Sequence, residues 1–316
     1  MKKRRLVLGL CFLLIVSVCV SGALRSRRVP EAVSNPPNAI VVFNPKNAAG
    51  VHTIPFLFRG IIWISSSFGK KNVWSVLDSG SVIASCPEDF GGAGVLWSDY
   101  KAPFQTGVPS LRPASLHVLT QVKVPNCTLQ NCPVIEYPRF AGETDPDVDA
   151  IIPLSVFSQF TVMIDYRRSQ LTIFEKRLSP DTVRLPNPED NLENPVWLPL
   201  ILVTYKGWGP YPVVQGVVNG VNMNCVLDTA SPYAIWVTNR KLFSAIRTSR
   251  TSSVPPIRQD AAWSFGQLHG NGPLMVDPRD EQIGIDASIG NAVLCDYRIT
   301  IDYPNRRVCF ERYLTP

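Results

Sequence analysis

Short apolar runs, each interrupted by a polar turn, make up most of the chain beyond its N-terminal leader. Val73, Trp74, Val76 and Leu77 read as a buried strand that runs directly into Asp78-Ser79-Gly80-Ser81. The stretch before it, "IIWISSSFGKKNVWSVL" from Ile61, predicts a hairpin turning at Gly69 to Asn72. "VVQGVVNGVNMNCVL", from Val213, predicts another around Asn219-Gly220, the strongest two-residue hairpin signal. Two further strand–turn–strand units follow, "IDYRRSQLTIFE" from Ile164 and "IDYPNRRVCFE" from Ile301. Helical signals are few: short segments near Leu154–Gln159, Arg240–Ile246 and Ile289–Leu294. The pattern predicts a mostly β protein, and 28 prolines with 20 glycines fit many turns and short strands.

The pattern is written twice. "VLDSGS" at 76–81 returns as "VLDTAS" at 226–231, 150 positions later, each after a hairpin. The two Ile-Asp-Tyr hairpins then follow in the same order. One matched pair could be chance, whereas two in register indicate an internal duplication. The repeats are parted by "LSPDTVRLPNPEDNLENP", a polar, proline-rich linker at 178–195. Lobe one is therefore expected over residues 52–177 and lobe two over 196–316, with 24–51 an extended N-terminal segment or added strand.

Composition narrows the class. With 45% hydrophobic and 18% charged residues, 316 residues suffice for one large or two ordinary domains and exclude a disordered or coiled-coil chain. The net charge of +6 is scattered apart from the N-terminus, which gives no reason to expect nucleic acid. At that terminus Lys2, Lys3, Arg4 and Arg5 precede an apolar run from Leu6 to Val20 and then Ser-Gly-Ala. This is the form of a secretory signal peptide, residues 1–23, cleaved after Ala23, and predicts a secreted or periplasmic protein. Two alternatives are an uncleaved membrane anchor, for which Leu6 to Leu24 is barely long enough, and lipidation at Cys19, which the bulk of Val18 disfavours. Beyond the leader, an even set of cysteines in an exported chain (Cys86, Cys127, Cys132, Cys225, Cys295 and Cys309) suggests disulfides, including a small Cys127–Cys132 loop. The other reading makes Cys225 and Cys309 buried thiols in strands. Asn126 begins a glycosylation sequon if the host is eukaryotic.

The duplicated acidic turn carries the chemistry. If the turns meet on a pseudo-twofold axis, Asp78 and Asp228 face each other. Carboxylates about 3 Å apart cannot both ionise, so they share a proton. One then acts as base on a water while the other hydrogen-bonds a peptide carbonyl. No metal or cofactor is needed. His52, His117 and His269 have no zinc-ligand spacing, and no phosphate-binding glycine loop is present. "LDSGS" is also similar to the nucleophile loop of chymotrypsin-like serine peptidases, but none of the three histidines sits in a pattern that would activate Ser79, and that reading leaves "VLDTAS" unexplained. Asp165 and Asp302 are expected to be structural, and Asp149 and Asp286 to shape nearby loops.

The pattern hydrophobic-hydrophobic-Asp-Ser/Thr-Gly-Ser/Thr resembles the aspartic peptidases. The two-lobed arrangement is similar to pepsin, and the shorter lobes and their endings are more similar to retropepsin-like aspartyl proteases of bacterial genomes. The resemblance implies an all-β fold of two pseudo-symmetric retropepsin-like β-barrel lobes in the pepsin-like bilobal acid-protease architecture. It implies a dyad of Asp78 and Asp228, supported by Ser79, Gly80, Ser81, Thr229, Ala230 and Ser231. The hydroxyls of Ser79 and Thr229 would bond across to the opposite turn. A hydrophobic-hydrophobic-Gly segment should lie beneath each turn, with Ile151-Ile152-Pro153 and Gln282-Ile283-Gly284 as its counterparts here. Two positions depart from the pattern. Ala230 replaces a Gly, at a cost on the order of 1 kcal/mol if its φ must be positive. Pro153 replaces another and removes a backbone donor. Covering flaps are expected at 102–115 and 251–266; neither carries a flap tyrosine in a Gly-rich setting, and Phe104 and Trp263 within them are read as core or rim residues ahead of substrate contacts. The implied function is a monomeric, exported endopeptidase acting on extended peptides or proteins. The rivals are a pseudopeptidase that binds peptide or another macromolecule in the same cleft, and a structural export domain.

Overall fold

The computed structural model describes residues 39–44, 49–81, 84–87, 95–103, 113–137, 150–176, 192–205, 208–239, 257–276 and 284–314. The leader 1–23, most of the 178–195 linker, the segment 240–246, Phe104 and Asp149 lie outside them. The first repeat contributes β1 (Ile40–Phe43), β2 (Val51–Pro55), β3 (Leu57–Phe58), β4 (Ile62–Phe68), β5 (Lys71–Asp78) and β6 (Ala84–Pro87). It continues with β7 (Val95–Pro103), β8 (Pro113–Val124), β9 (Cys127–Tyr137), β10 (Ala150–Pro153), β11 (Thr161–Asp165) and β12 (Gln170–Phe174). The second repeat contributes β13 (Val196–Pro199), β14 (Ile201–Tyr205), β15 (Trp208–Val218), β16 (Val221–Leu227) and β17 (Ile235–Val237). It ends with β18 (Ile257–Phe265), β19 (Leu268–Val276), β20 (Ala287–Ile289), β21 (Tyr297–Asp302) and β22 (Arg307–Arg312). A 3-10 turn at Leu154–Phe157 and the one-turn helix α1 (Asn291–Leu294) stand where two of the three helical segments are expected.

Strand pairing closes two barrels. In the first, the order β4-β5-β10-β6-β9-β8 returns on itself through the β8–β4 pairing. In the second, β15-β16-β20-β17-β19-β18 closes through β15–β18. The two rings have the same strand order, and in both the strand after the Asp turn's partner runs parallel: β10 to β5 and β20 to β16. The protein is thus an all-β molecule of two six-stranded barrels related by a pseudo-twofold, the bilobal architecture expected above.

Local sequence explains the hairpins. Asn219 and Gly220 adopt φ 47° and 80° in a two-residue turn, which matches strand twist and which few other residues tolerate. Gly69 with φ 58° does the same for β4–β5, so that turn is Gly69-Lys70 and Lys71 and Asn72 already belong to β5. The Ile-Asp-Tyr hairpins share a four-residue loop whose last residue, Ser169 or Arg306, has φ 51°.

Those hairpins build a third sheet, β2-β12-β11-β21-β22-β13, shared by both lobes. Its central pair is β11 with β21, antiparallel, with Thr161 opposite Asp302 and Ile164 opposite Ile299. Asp302 accepts from the Thr161 hydroxyl at 3.0 Å and from Arg307 Nε at 2.8 Å. Asp165 accepts from the Arg168 N–H and the Tyr313 hydroxyl. Both are structural anchors, as expected. Arg298 and Glu311 form a buried fork of two 2.9 Å bonds across β21–β22. A single apolar core runs through both barrels and this sheet, including Ile64, Leu77 and Ile152 in one lobe and Val214, Leu227 and Ile289 in the other.

Three expectations are corrected. All six cysteines among the described residues are free. Cys127 and Cys132 lie in one continuous strand, β9, so they are spread along it at about 3.3 Å per residue, beyond the reach of a disulfide. Residues 257–265 form barrel strand β18 rather than a flap. Trp263 is therefore a core residue, stacked on Phe265 and lying over Gly270, where a Cβ would meet its ring at 2.5 Å. In lobe one, β7 and β8 do form a hairpin within the expected flap region, with 104–112 outside the described residues.

Candidate active site

Strand β5 delivers Asp78 to the interface between the lobes, and the end of β16 delivers Asp228 from the other side. Both are 6% exposed. The residues after them interlock. Ser79 N–H donates to Thr229 Oγ1 at 3.1 Å, and Thr229 N–H donates to Ser79 Oγ at 2.9 Å. Ser79 Oγ bonds Thr229 Oγ1 at 3.2 Å, and Thr229 Oγ1 donates to the Leu77 carbonyl at 2.6 Å. Residues far apart in the chain are thereby fixed across the pseudo-twofold, in a fully buried setting where each bond is hard to forgo.

Each carboxyl sits in backbone donors from its own turn. Asp78 Oδ1 accepts the Gly80 N–H at 2.7 Å. Asp228 Oδ1 accepts the N–H groups of Ala230 and Ser231, both at 3.0 Å. The two carboxyls lie close enough that the Asp228 charge acts directly on Asp78. Gly80 is essential for this approach: a Cβ there would lie 2.8 Å from Asp228 Cγ. The constraint is contact, not φ.

Ala230, the expected weak point, does not have positive φ, and its N–H bond to Asp228 is intact. The anticipated backbone cost therefore does not arise. Its methyl instead packs on Ile61, Val76 and Ile151 of lobe one.

The segments beneath the turns need one correction. In lobe one Ile151, Ile152 and Pro153 pair with Val76, Leu77 and Asp78, as expected. In lobe two the partners of Cys225, Val226 and Leu227 are Ala287, Ser288 and Ile289, followed by Gly290. The counterpart is therefore Ser288-Ile289-Gly290, not Gln282-Ile283-Gly284; of the latter, only Gly284 is described. Gly290 donates to the Ala234 carbonyl at 3.0 Å, and a Cβ there would come within 2.3 Å of the Tyr233 oxygen. Pro153 cannot make the matching bond. Asp286 caps this region by accepting from Asn224 N–H and Asn239 Nδ2.

Electrostatics make the two acids unequal. Burial raises the Asp78 carboxyl well above the ordinary range, the Asp228 charge adds to the rise, and the Gly80 N–H opposes it. Burial raises Asp228 to about 6, while the Ala230 N–H favours its charged form. The Ser288 hydroxyl, buried with no partner at bonding distance, faces the same carboxyl and acts likewise. Burial and mutual repulsion oppose a second charge, so the pair holds one proton between them.

No known family matches the chain, and no curated protein matches it. Among solved structures it is similar to the crystal structure of aspartic proteinase from Irpex lacteus. That likeness has a TM-score of 0.49 and 9% identity, covering 83% of this chain and 97% of the other.

The histidines belong elsewhere. His52 stacks on Phe43 and bonds Glu175, and His269 Nδ1 contacts the Gln267 carbonyl. Ser79 Oγ is committed to Thr229 and is not bonded to a histidine. Among the described residues no His, Cys, Asp and Glu cluster could hold a metal ion, and no helix is long and apolar enough to cross a membrane. Sequence reasoning missed Ser288 and Asn291. The signal for both was "SIGN" itself, a hydrophobic step into Gly just before a helical segment.

Proposed function

We propose that the chain is an aspartic endopeptidase that hydrolyses extended peptides or proteins with a water held between Asp78 and Asp228. The observation that carries this reading is the buried pair of carboxyls, Asp78 and Asp228, whose turns are locked together by the Ser79–Thr229 cross-bonds. Asp228, the more readily ionised, takes a proton from water as the oxygen attacks the peptide carbonyl. Asp78 gives its proton to the carbonyl oxygen, and a gem-diol forms. Asp228 then protonates the leaving nitrogen, the C–N bond breaks, and a gem-diol hydroxyl returns its proton to Asp78. The cycle closes without a covalent intermediate, a metal or a cofactor. Both acids come from one chain, so a monomer suffices. Export through residues 1–23 is part of the proposal and rests on the sequence of the leader.

The Ala230 methyl favours a second reading, a peptide-binding pseudopeptidase, because it occupies the place where the other turn has only Gly80. Incubation with an unbiased peptide library between about pH 4 and 8, alongside Asp78→Asn and Asp228→Asn, separates the two. Cleavage abolished by either substitution supports the dyad. Cleavage equal in all three proteins refutes it. Binding without cleavage in the unmodified protein supports the second reading.

A further inference from the structure

We propose that Tyr166 and Asn291 form a positioning strut by which lobe one braces the Asp228 turn, and that the Asp78 turn has no equivalent. The proposal deepens the dyad reading and rests on it for its kinetic consequence.

Asn291 opens α1 directly after Gly290 and is 2% exposed. Three of its polar groups reach beyond its own helical turn. Its N–H donates to the Ser231 carbonyl at 2.7 Å, and its Nδ2 donates to the Thr229 carbonyl at 2.7 Å. Its Oδ1 accepts from the Tyr166 hydroxyl at 2.8 Å. Asn291 therefore clamps two carbonyls of the turn that presents Asp228, and is itself held by a residue of the opposite lobe. Tyr166 follows β11, which with β21 forms the central pair of the shared sheet, and so connects the turn to the seam between the lobes.

The pseudo-twofold gives an internal control. Tyr303 follows β21 as Tyr166 follows β11, both in Ile-Asp-Tyr. Tyr303 is equally buried, at 2% exposure, but its hydroxyl has no partner. The position equivalent to Asn291 is Leu154, after Pro153 as Asn291 comes after Gly290. Leucine neither accepts from a tyrosine nor donates to a turn carbonyl. An orphaned buried hydroxyl is costly to keep, and its presence marks where the strut is lacking. The titratable groups near Asp228 are Asp78 from the first turn and, beyond Asn291, Tyr166.

The test compares one substitution at two symmetry-related sites in the full chain. Tyr166→Phe should lower kcat by about 10-fold or more with KM little changed, because the turn shifts while the cleft stays intact. It should also move the acid limb of the pH profile. Tyr303→Phe should leave kcat and both limbs unchanged and keep or raise stability. Asn291→Leu, which copies lobe one, should reproduce or exceed the effect of Tyr166→Phe. Asn291→Asp keeps the acceptor for Tyr166 and should be milder than Asn291→Leu. The pH dependence of urea unfolding supplies a readout independent of turnover. Tyr166→Phe should alter the proton uptake between about pH 4 and 7, and Tyr303→Phe should not. If the unmodified protein cleaves nothing, the catalytic reading fails, and the unfolding data alone decide on the strut. Equal effects of Tyr166→Phe and Tyr303→Phe on kinetics and on the unfolding titration would overturn it.

Discussion

Replacing Thr229 by Val tests the cross-lobe lock directly. Valine has nearly the shape of threonine but lacks the hydroxyl, so packing is preserved while three bonds are lost. These are the donation to the Leu77 carbonyl at 2.6 Å and the bonds from Ser79 N–H and Ser79 Oγ at 3.1 and 3.2 Å. Thr229 N–H to Ser79 Oγ does not need the side chain and persists. The Leu77 carbonyl and the Ser79 N–H are left buried without partners, at about 1–3 kcal/mol each. The expected destabilisation is therefore about 2–6 kcal/mol, large for a near-isosteric change. Ser79→Ala orphans chiefly the Thr229 N–H and should cost about 1–3 kcal/mol. Urea unfolding of both single variants and the double variant gives the coupling energy, and the two residues are in contact, so their effects should not add. A loss below about 0.5 kcal/mol for Thr229→Val, additive with Ser79→Ala, would show that the lobes are held by the shared sheet alone.

Asp228 keeps its proton to about 6 when folded, whereas an unfolded Asp releases it near 3.9, so the folded state binds the extra proton between these values. Stability should fall as pH rises from about 4 to 6, by up to about 3 kcal/mol, and Asp228→Asn should flatten that slope in urea titrations. The same pair needs a single shared proton, so turnover should rise with pH through about 6; an optimum below pH 3 would contradict it. Ala230→Gly removes a methyl from the Ile61–Val76–Ile151 cluster and should cost about 1 kcal/mol while raising turnover, which paired unfolding and kinetic measurements would detect. Gly290→Ala forces a Cβ to 2.3 Å from the Tyr233 carbonyl and should cost at least about 2 kcal/mol, read from the urea midpoint; a neutral result would mean the turn relaxes freely.

The duplicated hairpins and both acidic turns were legible because their signals are local: Asn219-Gly220 dictates its own turn, and "VLD" states both burial and a stop. What was not legible depends on pairing across the chain. The match to Gln282-Ile283-Gly284 failed because local sequence does not specify which residues lie parallel to β16, and a shift along the strand changes every partner. Cys127 and Cys132 read as a loop because spacing says nothing about extension, and β9 runs straight through them. That 257–265 is a barrel strand and not a flap was not legible because the glycine that receives the Trp263 ring, Gly270, lies on the next strand. The Tyr166–Asn291 contact joins two lobes, and no window of sequence contains both residues.

The seam between β11 and β21 joins two versions of the same strand in mutually reversed directions, with Thr161 meeting Asp302 and Ile164 meeting Ile299. A chain nicked between its repeats should therefore stay assembled, since the tether contributes proximity while the seam contributes adhesion. Either half, produced alone, would carry a bare β11 or β21 edge, and a second copy of itself is a mate of matching geometry.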